Sequence, residues 1–246
     1  MLLRTAKFPQ ADIPFADSPR TLWDQVAEFV EARGLGDGRT RILRAAHELY
    51  INNPVFAMDE PSTTPLRVML FGASPRGQER LRWDKDLKAL QKHAGAVYSV
   101  EARAAATVED LGGLQSASPD IFHFAGHGED GALVFEDRDG GAYPVAASDV
   151  AAMLAFGSRL RLVLLNCCHG EVLAEHFEPV ADLVVAFRGW IDDACAAYFV
   201  ERFYAAVADR VELRAAAGQA AWATAIVDEA CRSFGEPGRL ILRSRG

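Results

Sequence analysis

Two short apolar runs, each halted by polar residues, dominate the hydrophobic pattern of the chain. The first, Ile121-Phe122-His123-Phe124-Ala125, runs into Gly126-His127-Gly128. The second, Leu162-Val163-Leu164-Leu165, runs through Asn166 into Cys167-Cys168-His169-Gly170. Runs of this length without alternation read as strands buried on both faces, here over 120–124 and 160–166. Further strands are predicted at 66–71, 97–100 and 181–187, with 239–243 as a last one. Residues 131–135 and 142–145, separated by Asp137-Arg138-Asp139-Gly140-Gly141, predict a β-hairpin. Helical spacing of apolar residues fills the gaps at about 78–93, 107–114, 148–155, 192–209 and 213–233, with Thr107 and Ser148 as caps.

The pattern is different upstream. Ser18-Pro19 reads as a helix start, followed by Leu22, Val26, Phe29 and Val30 on one face. Gly34 to Gly38 breaks that helix, a second is predicted over 40–52, and Pro61-Ser62-Thr63-Thr64-Pro65 reads as a linker. The chain therefore divides into a helical extension, 1–60, and a main domain, 61–246. Strands alternating with helices make the main domain α/β, with a mostly parallel sheet covered by helices on both faces. In such sheets the loops beyond the carboxyl ends of the strands carry the chemistry.

Composition narrows the classes. Half of the 246 residues are apolar, enough for a sizeable core. A formal charge of −8 excludes the basic excess of a general nucleic-acid binder. No apolar run reaches the roughly 18 residues of a membrane span, and the first residues lack the form of a secretory signal. On that ground the expected location is the cytoplasm, with all four cysteines reduced and a disulfide framework unlikely at this size. Adjacent cysteines at a strand end do not match the spacing of a structural zinc site, so no metal and no cofactor are expected.

What the two central runs carry is a thiol and an imidazole just past strand ends. If the strands are neighbours, Cys168 and His127 can meet as nucleophile and base. Backbone N–H groups of Gly128 and Cys168 are candidates for stabilising the oxyanion of an acyl-transfer intermediate. Side chains alternate along a strand, so Cys167 is expected in the packing if Cys168 faces a cleft. His123 is expected to be structural. His169, Asp192 and Asp193 are candidate substrate-binding residues, with a helix cap as the competing role for at least one of the two aspartates.

At Phe122-His123-Phe124-Ala125-Gly126-His127-Gly128 and Val163-Leu164-Leu165-Asn166-Cys167-Cys168 the sequence resembles the caspase-like cysteine peptidases, and among them the CHAT branch of bacteria. Asn166-Cys167-Cys168-His169-Gly170 is similar to the Gln-Ala-Cys-Arg-Gly pattern of caspases, and the spacing from His127 to Cys168 is near the roughly 50 residues seen there. The likeness covers about residues 65–235, without the tetratricopeptide repeats that often accompany that domain.

The resemblance implies a caspase-like three-layer fold. It implies a cysteine endopeptidase that cuts one or a few partner proteins, a pore-forming or other effector among them, in a bacterial defence or cell-death pathway. The extension 1–60 would recruit a protein activator or substrate, and the resemblance also implies that an acidic floor made by Asp192 and Asp193 selects a basic side chain before the cut bond. Two other readings stay open: a catalytically silent interaction module, and a thiol redox sensor using Cys167 and Cys168.

Overall fold

A computed structural model describes residues 64–244, and the predicted helices of the extension 1–60 lie outside the described residues. The core is a six-stranded sheet. Its parallel members are β1 (Leu66–Gly72), β2 (Tyr98–Ala104), β3 (Ile121–Ala125), β7 (Leu160–Asn166) and β8 (Ala181–Phe187). The edge strand β9 (Leu240–Ser244) pairs antiparallel with β8, and the order across the sheet is β2-β1-β3-β7-β8-β9. Central β3 is buried throughout, which is why its sequence is a continuous apolar run. Edge strand β2 alternates buried and exposed positions and places Glu101 and Arg103 outward, the charged edge that resists pairing with another chain.

Strand alternation sends successive residues to opposite faces. Leu162 and Leu164 of β7 join a core with Ile121 and Ala125 of β3, covered by α1 (Trp83–His93), α5 (Asp193–Ala208) and α6 (Leu213–Val227). Val163, Leu165 and Cys167 join a second core with Phe122 and Phe124, covered by α3 (Ala147–Leu154) and by β5 (Ala132–Glu136). The sheet is thus mostly parallel and covered on both faces, as the alternation of elements predicts.

A second, antiparallel sheet is made of β4 (His127–Glu129), β5 and β6 (Ala142–Ala146). The predicted hairpin is its β5–β6 pair, and β4 extends it by one strand beginning at His127 itself.

Several boundaries differ from expectation. The helix predicted from 78 starts at Trp83, because residues 73–82 are held as a loop: the Leu81 N–H donates to the Ser74 hydroxyl, and the Ser74 N–H to the Glu136 carboxyl. Ser148 lies inside α3 rather than capping it, since the cap position is Ala146, which makes no side-chain bond. The single helix predicted over 213–233 is broken at Asp228, whose extended backbone and side-chain bond to the Ala230 N–H start a separate 3-10 turn, Glu229–Gly235. Thr107 does cap, through a reciprocal box with Asp110 around the 3-10 turn Val108–Gly113, which leads into α2 (Leu114–Ala117).

The expectation of four reduced cysteines is overturned for two of them. Cys195, in the first turn of α5, forms a disulfide with Cys231 of the 3-10 turn. Each reads as a core position from its helical spacing, and both are core residues; their Cα atoms are 5.4 Å apart, within bonding range. Spacing along the sequence carries no sign of that meeting.

Candidate active site

The register of β3 on β7 builds the site. Ala125 lies opposite Asn166, so His127 and Cys168 each follow two residues past the same rung. The junction is tight: the Gly126 N–H donates to the Asn166 carbonyl at 3.4 Å. A Cβ added to Gly128 would stand 2.3 Å from the Cys168 carbonyl oxygen and 3.0 Å from Cys167 Sγ. The close approach that Gly128 permits is therefore to the backbone of the cysteine turn, a contact any other side chain would block.

His127 and Cys168 line one narrow recess. The Cys168 thiol is half-buried and receives the Ile191 N–H at 3.5 Å. Among the described residues the backbone N–H of Cys168 makes no hydrogen bond, so it is free to donate. Nε2 of His127 lies 2.8 Å from the Glu79 carbonyl oxygen. A carbonyl only accepts, so Nε2 carries the proton, and in the neutral ring Nδ1 is left to take one. The loop that displaces the predicted start of α1 is thus the element that orients the imidazole.

Cys167 is almost fully buried in the core on the opposite face. Burial pushes its thiol well above the usual range, with Cys168 and Glu171 adding to the effect, so it stays protonated and unreactive. Cys167 and Cys168 are both free thiols.

The remaining candidates separate. Asp193 lines the recess and accepts the Arg82 N–H at 3.2 Å. Asp192 is exposed and caps α5, accepting from the N–H groups of Ala194 and Cys195. His169 takes a left-handed backbone (φ 54°) and packs edge-on against Trp190, outside the recess. The cysteine turn leads into the single turn α4 (Gly170–Leu173), which offers little dipole.

Beneath the thiol lies a buried polar chain that sequence reasoning divides or misses. His123 stacks on Tyr204, whose hydroxyl is 3.2 Å from Nδ1. Burial pushes that phenol well above its ordinary range, so it remains a donor. Nε2 of His123 faces the carboxyl of Asp86 at 3.4 Å, and Asn166 donates to the same carboxyl at 2.6 Å. Asp86 and Asn166 both line the recess, and Asn166 Oδ1 is buried without a hydrogen-bond partner among the described residues. No spacing rule marks Asp86; only its position in a helix that packs over the strand ends brings it here.

The recess therefore holds a half-buried thiol, an imidazole held by the Glu79 carbonyl, and the acidic groups of Asp86 and Asp193. Among the described residues no group of three or more His, Cys, Asp or Glu is arranged to hold a metal ion, and no helix is long and apolar enough to cross a membrane.

Comparison with known proteins gives little beyond this. No family model matches the sequence, and no curated protein matches it. Among solved structures, the fold is similar to that of a secreted C11 cysteine protease from Bacteroides thetaiotaomicron, determined in complex with an irreversible peptide inhibitor. The identity is 12% and the TM-score 0.49, over 63% of this chain and 57% of that one.

Proposed function

We propose that this protein is a cysteine endopeptidase of the caspase-like kind, with Cys168 as nucleophile and His127 as its base. The observation that carries the reading is the β3–β7 register, with the thiol and the imidazole in one recess and His127 oriented by Glu79. In this mechanism His127 takes the thiol proton, the sulfur attacks a peptide carbonyl, and the protonated imidazole releases the amine. Water then attacks the acyl-enzyme. The free Cys168 N–H serves the oxyanion, with Gly128 as its candidate partner.

Substrate choice follows from the recess. The acidic groups at the recess, Asp193 on its wall and the buried carboxyl of Asp86, favour a basic side chain before the cut bond. Asp192 is occupied as a cap and His169 lies outside, so neither supplies the floor in this reading. The restriction to one or a few partner proteins, the setting in bacterial defence or cell death, the CHAT affiliation and recruitment through residues 1–60 rest on the sequence resemblance alone. The reading carries a cytoplasmic setting with it, and the Cys195–Cys231 bond is the observation that stands against that setting.

Of the alternatives, the redox sensor is disfavoured, because Cys167 is almost fully buried and belongs to the core on the opposite face. The decisive experiment is labelling with a thiol-reactive peptide ketone carrying Arg or Lys next to the ketone, read by mass spectrometry. The expected result is adduct at Cys168 alone, lost in His127→Ala. Equal labelling of wild type and His127→Ala would leave a scaffold with an accessible thiol.

A further inference from the structure

Beside the recess, and sharing its Leu81 and Trp83 walls, lies a half-open cavity of roughly 620 Å³ under the loop 73–82. Its charged lining is Arg76, Arg80, Arg82, Asp84 and Glu136. These groups are not equivalent. Arg82 forms a two-pronged pair with Asp84, at 2.7 and 2.9 Å, which holds that carboxyl well below the usual range and raises the guanidinium. Lys88 adds to the same carboxyl at 3.5 Å. Glu136 is engaged by the Ser74 N–H at 2.9 Å. Nearby Glu129 accepts from Gln78.

Arg76 and Arg80 are left. Among the described residues neither has a carboxyl within ion-pairing distance, although the chain as a whole carries a charge of −8. Arg76 lies against the backbone of Gly140, which has positive φ and where an added Cβ would meet the guanidinium at 3.1 Å. Its head group is therefore backed by main chain. Both are exposed and line the cavity, so their guanidinium groups are available to a carboxylate that enters it.

We propose that this cavity is a second substrate subsite, taking an acidic side chain of the same polypeptide whose basic residue enters the neighbouring recess. The proposal rests on the peptidase reading and deepens it: the substrate would carry a basic residue at the cut and a carboxylate a short way along the chain. Leu81 and Trp83 line both spaces, so the two lie side by side within the reach of one extended peptide. Arginine is suited to the role, because its planar fork binds a carboxylate through two bonds.

The test uses the full chain and fluorogenic peptides with one Arg, in which Glu, Gln or Lys is placed in turn at each position up to about four residues either side. At one position Glu should be preferred over Gln by about fivefold in kcat/KM, the scale of an accessible charge pair. The ratio should fall as salt is added. It should approach unity in Arg76→Gln/Arg80→Gln and turn toward Lys in Arg76→Glu/Arg80→Glu.

A Glu preference at no position, or one that survives in the double Gln variant, overturns the subsite. If no peptide is cut, the peptidase reading fails separately, and binding of the labelled Glu and Gln peptides to Cys168→Ala decides the subsite. A Glu preference that depends on Arg76 and Arg80 upholds it, and equal binding overturns it. Thermal melting of each variant verifies that the fold is kept.

Discussion

The two faces of the sheet are packed by different rules. On the face under α3 and β5, the aromatic rings of Phe71, Phe122, Phe124 and Phe135 pack against one another, with centroids 5.1 to 6.4 Å apart, and the strands contribute no buried polar side chain. On the face under α1 and α5, the same strands bury His123 and Asn166, and the helices bring Asp86 and Tyr204 to meet them. Burying polar groups is costly unless they are bonded to one another. That chain of contacts is confined to the region beneath Cys168 and His127. The comparison teaches that one face was shaped for cohesion, and the other gives up some cohesion to place oxygen atoms at the bottom of a cleft.

Four changes would break or sharpen this contrast. The largest effect is expected from Gly128→Ala, which puts a methyl into the Cys168 carbonyl at the junction of the two faces. Labelling of Cys168 by a peptide ketone should slow about a hundredfold, the scale of an ångström-sized misplacement. Phe122→Ala on the apolar face should lower unfolding free energy by about 4 kcal/mol in urea. Its peptide preference should stay as in wild type.

Asp86→Ala on the polar face should cost about 3 kcal/mol, because His123 and Asn166 are left facing an empty site. Unlike Phe122→Ala, it should also weaken the preference for a basic residue before the cut. A variant that changed stability alone would make the polar chain purely structural.

The smallest effect concerns the outer surface of the polar face. Lys92 bonds Glu201 and holds that carboxyl below its ordinary range. A lowered folded-state value stabilises above the unfolded one, near 4.5, and the gain vanishes as pH falls through the folded value. Lys92→Met should therefore lower stability by roughly 0.5 kcal/mol at neutral pH, and by nothing measurable well below pH 4. The midpoint of thermal unfolding across pH reads the difference.

The sheet was legible in the sequence because buried parallel strands leave short unbroken apolar runs, such as 121–125 and 162–165, that surface elements do not produce. That Cys168 and His127 line one recess could be expected for the same reason: both follow such runs at once. Loop geometry could not be. Residues 78–82 have helical spacing locally, and bonds to Ser74, Glu129, His127 and Asp193 hold them in another shape. The Cys195–Cys231 bond and the placement of Asp86 were hidden for a related reason. Each depends on how a helix lies over the sheet, and apolar spacing tells which side of a helix is inward, not what it will touch.

The disulfide has one consequence for the cleft itself. Cys195 stands in the same helical turn whose start is capped by Asp192, preceded by the Ile191 amide that contacts the Cys168 sulfur. The covalent tie to Cys231 therefore moors the wall against which the Cys168 sulfur rests, and a reducing agent would loosen that wall without touching Cys168 or His127.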